Sequence, residues 1–173
     1  MDIGSAASHA RLAVSAAEEG RHGDAAAHYR EALAISPESS ALHYDLGLEL
    51  AASGHAREAI IELRRASELD PDDADALNEC GRIEIDEGRL SSAQSFLDEA
   101  LERRPDHAGA SNNRGVVDFL KGRFAEAATR FRTAVENNPS LADAWFNLAD
   151  ALDEYGDAAG GAEARRRFEE LDR

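Results

Sequence analysis

The chain contains four prolines, and Pro37, Pro71, Pro105 and Pro139 follow one another at a step of 34 residues. Gly20, Gly54, Gly88, Gly122 and Gly156 keep the same step. So do Ala25, Ala59, Ala93 and Ala127, and again Ala32, Ala66, Ala100 and Ala134. Chance does not phase three residue types together over five periods. A fixed period of this size means a stack of small supersecondary units, each contacting its neighbours, rather than one core assembled from distant segments.

The punctuation within each period predicts what it folds into. A helical pattern of about fourteen residues ends at the phased glycine, which can close a turn with positive φ. A second helical pattern then runs up to the phased proline, which breaks the hydrogen-bond ladder and disfavours helix in the residue before it. The phased alanines lie on one face of that second helix, where small side chains let helices approach closely. Ten antiparallel helices are therefore expected, stacked as an all-α solenoid. A lead-in of residues 1–5 precedes a single domain, 6–173, with repeats at 6–39, 40–73, 74–107, 108–141 and 142–173.

The residues at these places resemble the tetratricopeptide repeat over nearly the whole chain. Its pattern W-x2-L-G-x2-Y, then A-x3-F, then P is matched piecewise. His43, Leu46, Gly47, Leu50, Ala59, Leu63 and Pro71 carry it in the second repeat. Ala127, Phe131 and Pro139 carry it in the fourth, and Trp145 and Leu148 open the fifth. There are departures. Cys80 and Arg114 hold the leucine place, Glu84 and Asp118 the tyrosine place, and Gly161 and Arg165 stand where alanine and an aromatic are usual. The resemblance implies a right-handed α-solenoid of helix-turn-helix repeats, curved so that the first helix of each repeat lines the concave side. It names no partner, because a fold does not fix a function.

One stretch, SNNRG at 111–115, looks like a phosphate-gripping loop when read alone. The period places it inside the first helix of the fourth repeat. Gly115 stands in phase with Gly47 and Gly81, so close packing is its expected role. Arg114 and Asp118 are four apart and can pair on one helix face. Glu84 is in phase with Asp118, and Arg114 is expected to bridge both carboxylates, since an unpaired buried arginine is costly.

On the lining that the resemblance implies, a helical stripe at steps of three and four gives a candidate peptide-binding groove. Its residues are Tyr44, Leu48, Asn78, Arg82, Asn112, Asn113, Val116, Phe119, Phe146, Asn147 and Asp150. The stripe is apolar in the first repeats, carries amides and Arg82 in the middle, and turns acidic toward Asp143, Asp150, Asp153 and Glu154. An asparagine amide offers a donor and an acceptor together, which suits the backbone of an extended segment. Some members of the family grip a C-terminal carboxylate with paired Lys and Arg. Here Arg82 stands nearly alone, so a partner with a basic end is expected instead. On the second helices Arg30, Arg64, Arg65, Arg132, Arg166 and Arg167 recur. A solvated, salt-bridged outer face is expected there, with Arg64 reaching Glu68.

Composition and missing motifs exclude several other functions. A net charge of −16 repels phosphate backbones and anionic lipid, so neither nucleic acid nor a membrane surface is an expected partner. The first twenty residues lack the basic start and apolar stretch of a signal peptide. No apolar run is long enough for a membrane helix, and one cysteine excludes an internal disulfide. A cytoplasmic protein is expected. His9 and His43 are in phase but have no second ligand one turn away, so packing rather than metal is their expected role. Cys80 is expected to be an inert core residue. There is no nucleophile elbow, phosphate loop or zinc-protease spacing. Neither catalysis nor a cofactor is expected.

Two functional readings remain. The first is a protein–protein interaction module, an adaptor or a client-specific chaperone, that holds an extended or helical peptide segment in the concave groove. The second is a structural scaffold that self-associates. The polar last helix, AEARRRFEELDR, reads as a cap, and a monomer is expected, with a homodimer as the alternative.

Overall fold

The computed structural model describes residues 5–171. Residues 1–4 of the expected lead-in and residues 172–173 of the last repeat lie outside the described residues. Among the described residues there are ten helices and no strand. They are α1 (Ala6–Glu18), α2 (His22–Ile35), α3 (Ser40–Ala52), α4 (Ala56–Leu69), α5 (Asp75–Asp86), α6 (Leu90–Arg103), α7 (Ala108–Leu120), α8 (Phe124–Asn137), α9 (Ala142–Tyr155) and α10 (Ala158–Leu171). The chain forms two compact units, Met1–Ile83 and Glu84–Arg173. In the first, α1 packs on α2, α2 on α3 and α3 on α4. In the second, each helix from α6 to α10 packs on the next, and α7 also touches α9.

The phased glycines break the helices as expected. All five have φ between 72° and 94°, and no other residue type among those described has positive φ. The residue after each glycine closes the turn with its own N–H. Arg21 donates to the Ala16 carbonyl, His55 to Leu50, Arg89 to Glu84, Arg123 to Asp118 and Asp157 to Leu152, at 2.8–2.9 Å. This six-residue bond satisfies a helix-end carbonyl that would otherwise lack a partner. At the other punctuation mark, α2, α4, α6 and α8 stop two residues before the phased proline. The intervening residue is drawn out of the helical region, with ψ 71° at Ser36 and 90° at Asn138.

Packing explains the remaining phased positions. All eight phased alanines are buried, none more than 4% exposed. Gly47 and Gly115 sit mid-helix because nothing larger fits: a Cβ on Gly47 would lie 2.6 Å from Leu63 Cγ, and one on Gly115 2.6 Å from Phe131 Cε1. His43 and Trp145 perform one task. The indole Nε1 of Trp145 donates to the Pro139 carbonyl at 2.9 Å, and the Nε2 edge of His43 meets the Pro37 carbonyl at 3.0 Å. Each ring thereby ties its helix to the inter-repeat proline.

Candidate functional site

The candidate residues of the N-terminal unit lie on α3 and α5. Tyr44 and Leu48 are half-buried on α3, Asn78 is buried on α5, and Arg82 is partly open. Arg82 donates from Nε to Glu79 at 2.8 Å, so its charge is answered within its own helix. Burial pushes the Tyr44 phenol up to about 12, helped by the carboxylates of Glu79, Asp75, Asp73 and Asp45. Tyr29, buried on α2, is also pushed up to about 12, by burial first and then by Asp45 and Glu49. Asp45 is raised in turn by its burial and by Glu49, against a hydrogen bond from Tyr29.

In the C-terminal unit the helical spacing brings four candidates together around one cleft. Val116 and Phe119 of α7 and Asn147 and Asp150 of α9 border a cleft of about 60 Å³, with Phe131 of α8 also on its wall. Asn112, 8% exposed, accepts a hydrogen bond from Asn147 Nδ2 at 3.0 Å. Its carbonyl therefore ties α7 to α9, and the other end of its amide is what it can offer a ligand. Phe119 packs edge-on against Phe124, with ring centroids 5.2 Å apart. Phe146 leans on Phe168 at 5.5 Å yet stays 47% exposed. Asn113 is half-buried on α7. The cleft is lined by the apolar side chains of Val116, Phe119 and Phe131 together with the polar groups of Asn147 and Asp150.

The SNNRG stretch is helical throughout, but the partners of its arginine differ from expectation. Arg114, 7% exposed, pairs through Nη1 with Asp118 at 2.5 Å and donates from Nε to Asp98 of α6 at 2.8 Å. It does not reach Glu84. That carboxylate is taken by Arg89, the residue just past the turn glycine, and Arg123 holds Asp118 from the same place one repeat later. A side chain on the turn that ends α5 is nearer to Glu84 than one on α7. Burial disfavours the charge on Arg114, but its bonds to Asp118 and Asp98 outweigh this and raise its pKa.

Of the six second-helix arginines expected to be salt-bridged, Arg30, Arg65, Arg166 and Arg167 pair with a carboxylate, whereas among the described residues Arg64 and Arg132 form no ion pair. Arg30 pairs with Glu58, Arg166 with Glu163, and Arg167 with Glu170. Glu68 is met by Arg65 three residues before it, not by Arg64; Arg65 also reaches Glu38. The acidic end of the stripe is partly neutralised from within. Arg165 donates to Asp153 at 2.7 Å and lies 3.8 Å from Asp150. Gly161 belongs to the same exchange, since a Cβ there would lie 2.2 Å from Asp153 Oδ1. The phased pair Phe119 and Phe131 has become Asp153 and Arg165 one repeat later.

Cys80 is buried in the core, beside the Ile60 carbonyl. His9 lies against His28, with ring centroids 6.3 Å apart. Among the described residues no group of His, Cys, Asp and Glu is placed to hold a metal ion, and no helix is long and apolar enough to cross a membrane.

Comparison with known proteins agrees with this architecture. The sequence matches the family described as Tetratricopeptide repeat over residues 16–78, 50–112 and 119–172. Comparison with curated proteins finds no similar sequence. Among solved structures, one titled "Crystal structure of MamA protein" is 18% identical with a TM-score of 0.78, over 99% of this chain and 93% of that one. MamA from Desulfovibrio magneticus RS-1 is 17% identical with a TM-score of 0.79, over 96% and 94%. PilF from Pseudomonas aeruginosa is 22% identical with a TM-score of 0.83, over 96% of this chain and 76% of that one. At these identities the likeness is one of fold.

Proposed function

The chain belongs to the tetratricopeptide repeat family, and on that footing we propose that it is a protein–protein interaction module. As an adaptor or client-specific chaperone, it holds an extended or helical segment of another protein against the first helices of its repeats. In the C-terminal unit the docking stripe comprises Asn112, Asn113, Val116, Phe119, Phe146, Asn147 and Asp150. In the N-terminal unit it comprises Tyr44, Leu48, Asn78 and Arg82.

The observation that carries this reading is the cleft between α7 and α9. Its lining combines the half-buried Val116 and Phe119 with the amide of Asn147 and the carboxylate of Asp150, and an exposed aromatic stands next to it in sequence at Phe146. Aromatic anchors in such clefts supply about 2 kcal/mol or more of binding energy each, and rim charges supply less. Most of the second-helix arginines are already paired with neighbouring carboxylates. No constellation of nucleophile, base and oxyanion donor accompanies the cleft, so binding rather than catalysis is the proposed activity.

A random dodecapeptide library displayed on phage tests the proposal. Wild type should enrich peptides whose binding is lost in Phe119→Ala/Asn112→Ala and weakened at least about tenfold in Phe146→Ala, while Arg64→Ala/Arg65→Ala keeps it. Phe146 is exposed, so its variant retains the fold if the double variant does not. Peptides that survive both stripe variants and are lost in the outer-face variant would move the site to the second helices.

Self-association as a scaffold is the second reading, favoured by Leu12 and Val14, which stand exposed on α1. Light scattering over a concentration series separates the two. A constant monomer mass supports the adaptor, and a stable dimer lost on Leu12→Glu/Val14→Glu supports the scaffold.

A further inference from the structure

The end of the stripe that looked acidic in sequence is partly covered by Arg165, but another acidic place is not covered. In the N-terminal unit, α3, the end of α4 and the connection into α5 enclose a hollow of about 220 Å³. That is below the roughly 300–1,000 Å³ of small-molecule sites, so it suits one side chain rather than a metabolite. The methyl groups of Ala41, Ala66 and Ala76 line it together with Ser40 and Tyr44. Around them stand Asp45, Asp70 and Asp73.

No arginine, lysine or histidine lines this hollow, and among the described residues no ion pair answers its three carboxylates, although Asp45 accepts a hydrogen bond from Tyr29. Glu38, Glu58 and Glu68 of the outer face, by contrast, are each bridged by an arginine. Asp73 spends one oxygen on the Asp75 N–H at 2.9 Å and keeps the other. The local field is negative enough to help hold the Tyr44 phenol neutral to about 12. The carboxylates stand around the hollow without converging into a metal-binding group. Such a site suits a larger, delocalised cation on an apolar stem. Lysine and arginine bury their methylene stems against apolar surface while the charge stays at a polar rim, and a tyrosine face adds cation–π attraction.

We propose that this hollow seats one basic side chain, arginine or lysine, of the bound protein segment. Charge complementarity and size select that occupant. The proposal rests on the docking function above and adds the chemistry of one anchor, so the segment that binds is one that presents a basic residue to α3 and α5.

The test uses capped amino acids, so it needs no partner. N-acetyl-arginine N-methylamide, its lysine counterpart and its glutamine counterpart are each titrated into the full chain while backbone amide signals are followed by NMR. At least one basic compound should move signals of residues 40–45 and 70–76 saturably, and the glutamine compound should not. In Asp45→Asn/Asp73→Asn the dissociation constant should rise at least about tenfold; asparagine at 73 keeps an acceptor for the Asp75 N–H. Asp70→Asn, on the exposed lip, gives the same readout if the double variant loses helix content. Equal shifts from the glutamine compound, or shifts by the basic compounds that persist in the variants, would overturn the proposal. The two failures are separable. A hollow that ignores both cations sinks this anchor and leaves the stripe standing, whereas a library without stripe-dependent peptides sinks the docking function itself.

Discussion

Replacing Arg114 by alanine removes a buried charge, 7% exposed. Its guanidinium bridges Asp98 on α6 and Asp118 on its own helix, and Asp118 is itself buried. Breaking a buried pair by removing one partner costs about 3–5 kcal/mol, because the remaining charge is stranded in a poor dielectric. Two features of the structure reduce that figure. Asp118 keeps a second partner in Arg123, and Asp98 is open enough for water to take over its solvation. About 2–4 kcal/mol is therefore expected. With a urea m-value of about 2 kcal/mol/M, the unfolding midpoint should fall by about 1–2 M. Leucine, usual at this place in the family, should not rescue Arg114 on its own, since Asp118 would then face an apolar neighbour. Arg114→Leu combined with Asp98→Asn and Asp118→Asn should recover much of the loss. A urea midpoint unchanged in Arg114→Ala, or an Arg114→Leu chain as stable as wild type, would refute this reasoning.

Other substitutions test the remaining packing and ionisation. Arg89→Ala should destabilise more than Arg123→Ala although both sit one residue past a turn glycine, because Glu84 loses its bridging arginine while Asp118 retains Arg114; paired urea melts read the ranking. Gly115→Ala should cost about 1–3 kcal/mol by pressing on Phe131, and Phe131→Leu in the same chain should return part of it in thermal unfolding. Tyr29 and Tyr44 hold folded-state values near 12 above an ordinary value of 10. Their share of stability is fully present below pH 10 and is lost as pH rises toward 12. Tyr29→Phe should flatten that decline in a denaturation series across the same window.

The period in the sequence made the helices legible because glycine and proline act locally. A positive φ after each first helix and a pre-proline break after each second depend on one residue each. Burial of the phased alanines followed from the same step. Side-chain partners were less legible, because they depend on where a long side chain ends. For Arg114 a signal existed all the same. The second-helix series Arg30, Arg64, Asp98, Arg132, Arg166 changes sign once, in the repeat just before Arg114. Arg89 and Arg123 likewise follow the turn glycine in the two repeats whose tyrosine place is acidic, whereas Arg21, at the same place in the first repeat beside Ala16, pairs with Glu19 and Asp24 instead. In the two acidic repeats ionic contact replaces the apolar one that usually joins those two positions of a helix-ending turn. The cleft wall at Phe131 and the hollow around Asp45, Asp70 and Asp73 had no such signal, since they join residues from different helices through shape.

Hydrogen exchange on the chain saturated with a library-selected peptide tests the docking stripe most directly. Slowed exchange is expected along α7 and α9 in the C-terminal unit and along α3 and α5 in the N-terminal unit, with the second helices α2 and α6 unchanged. Protection confined to those second helices, with α7 and α9 exchanging as in the free chain, would contradict it.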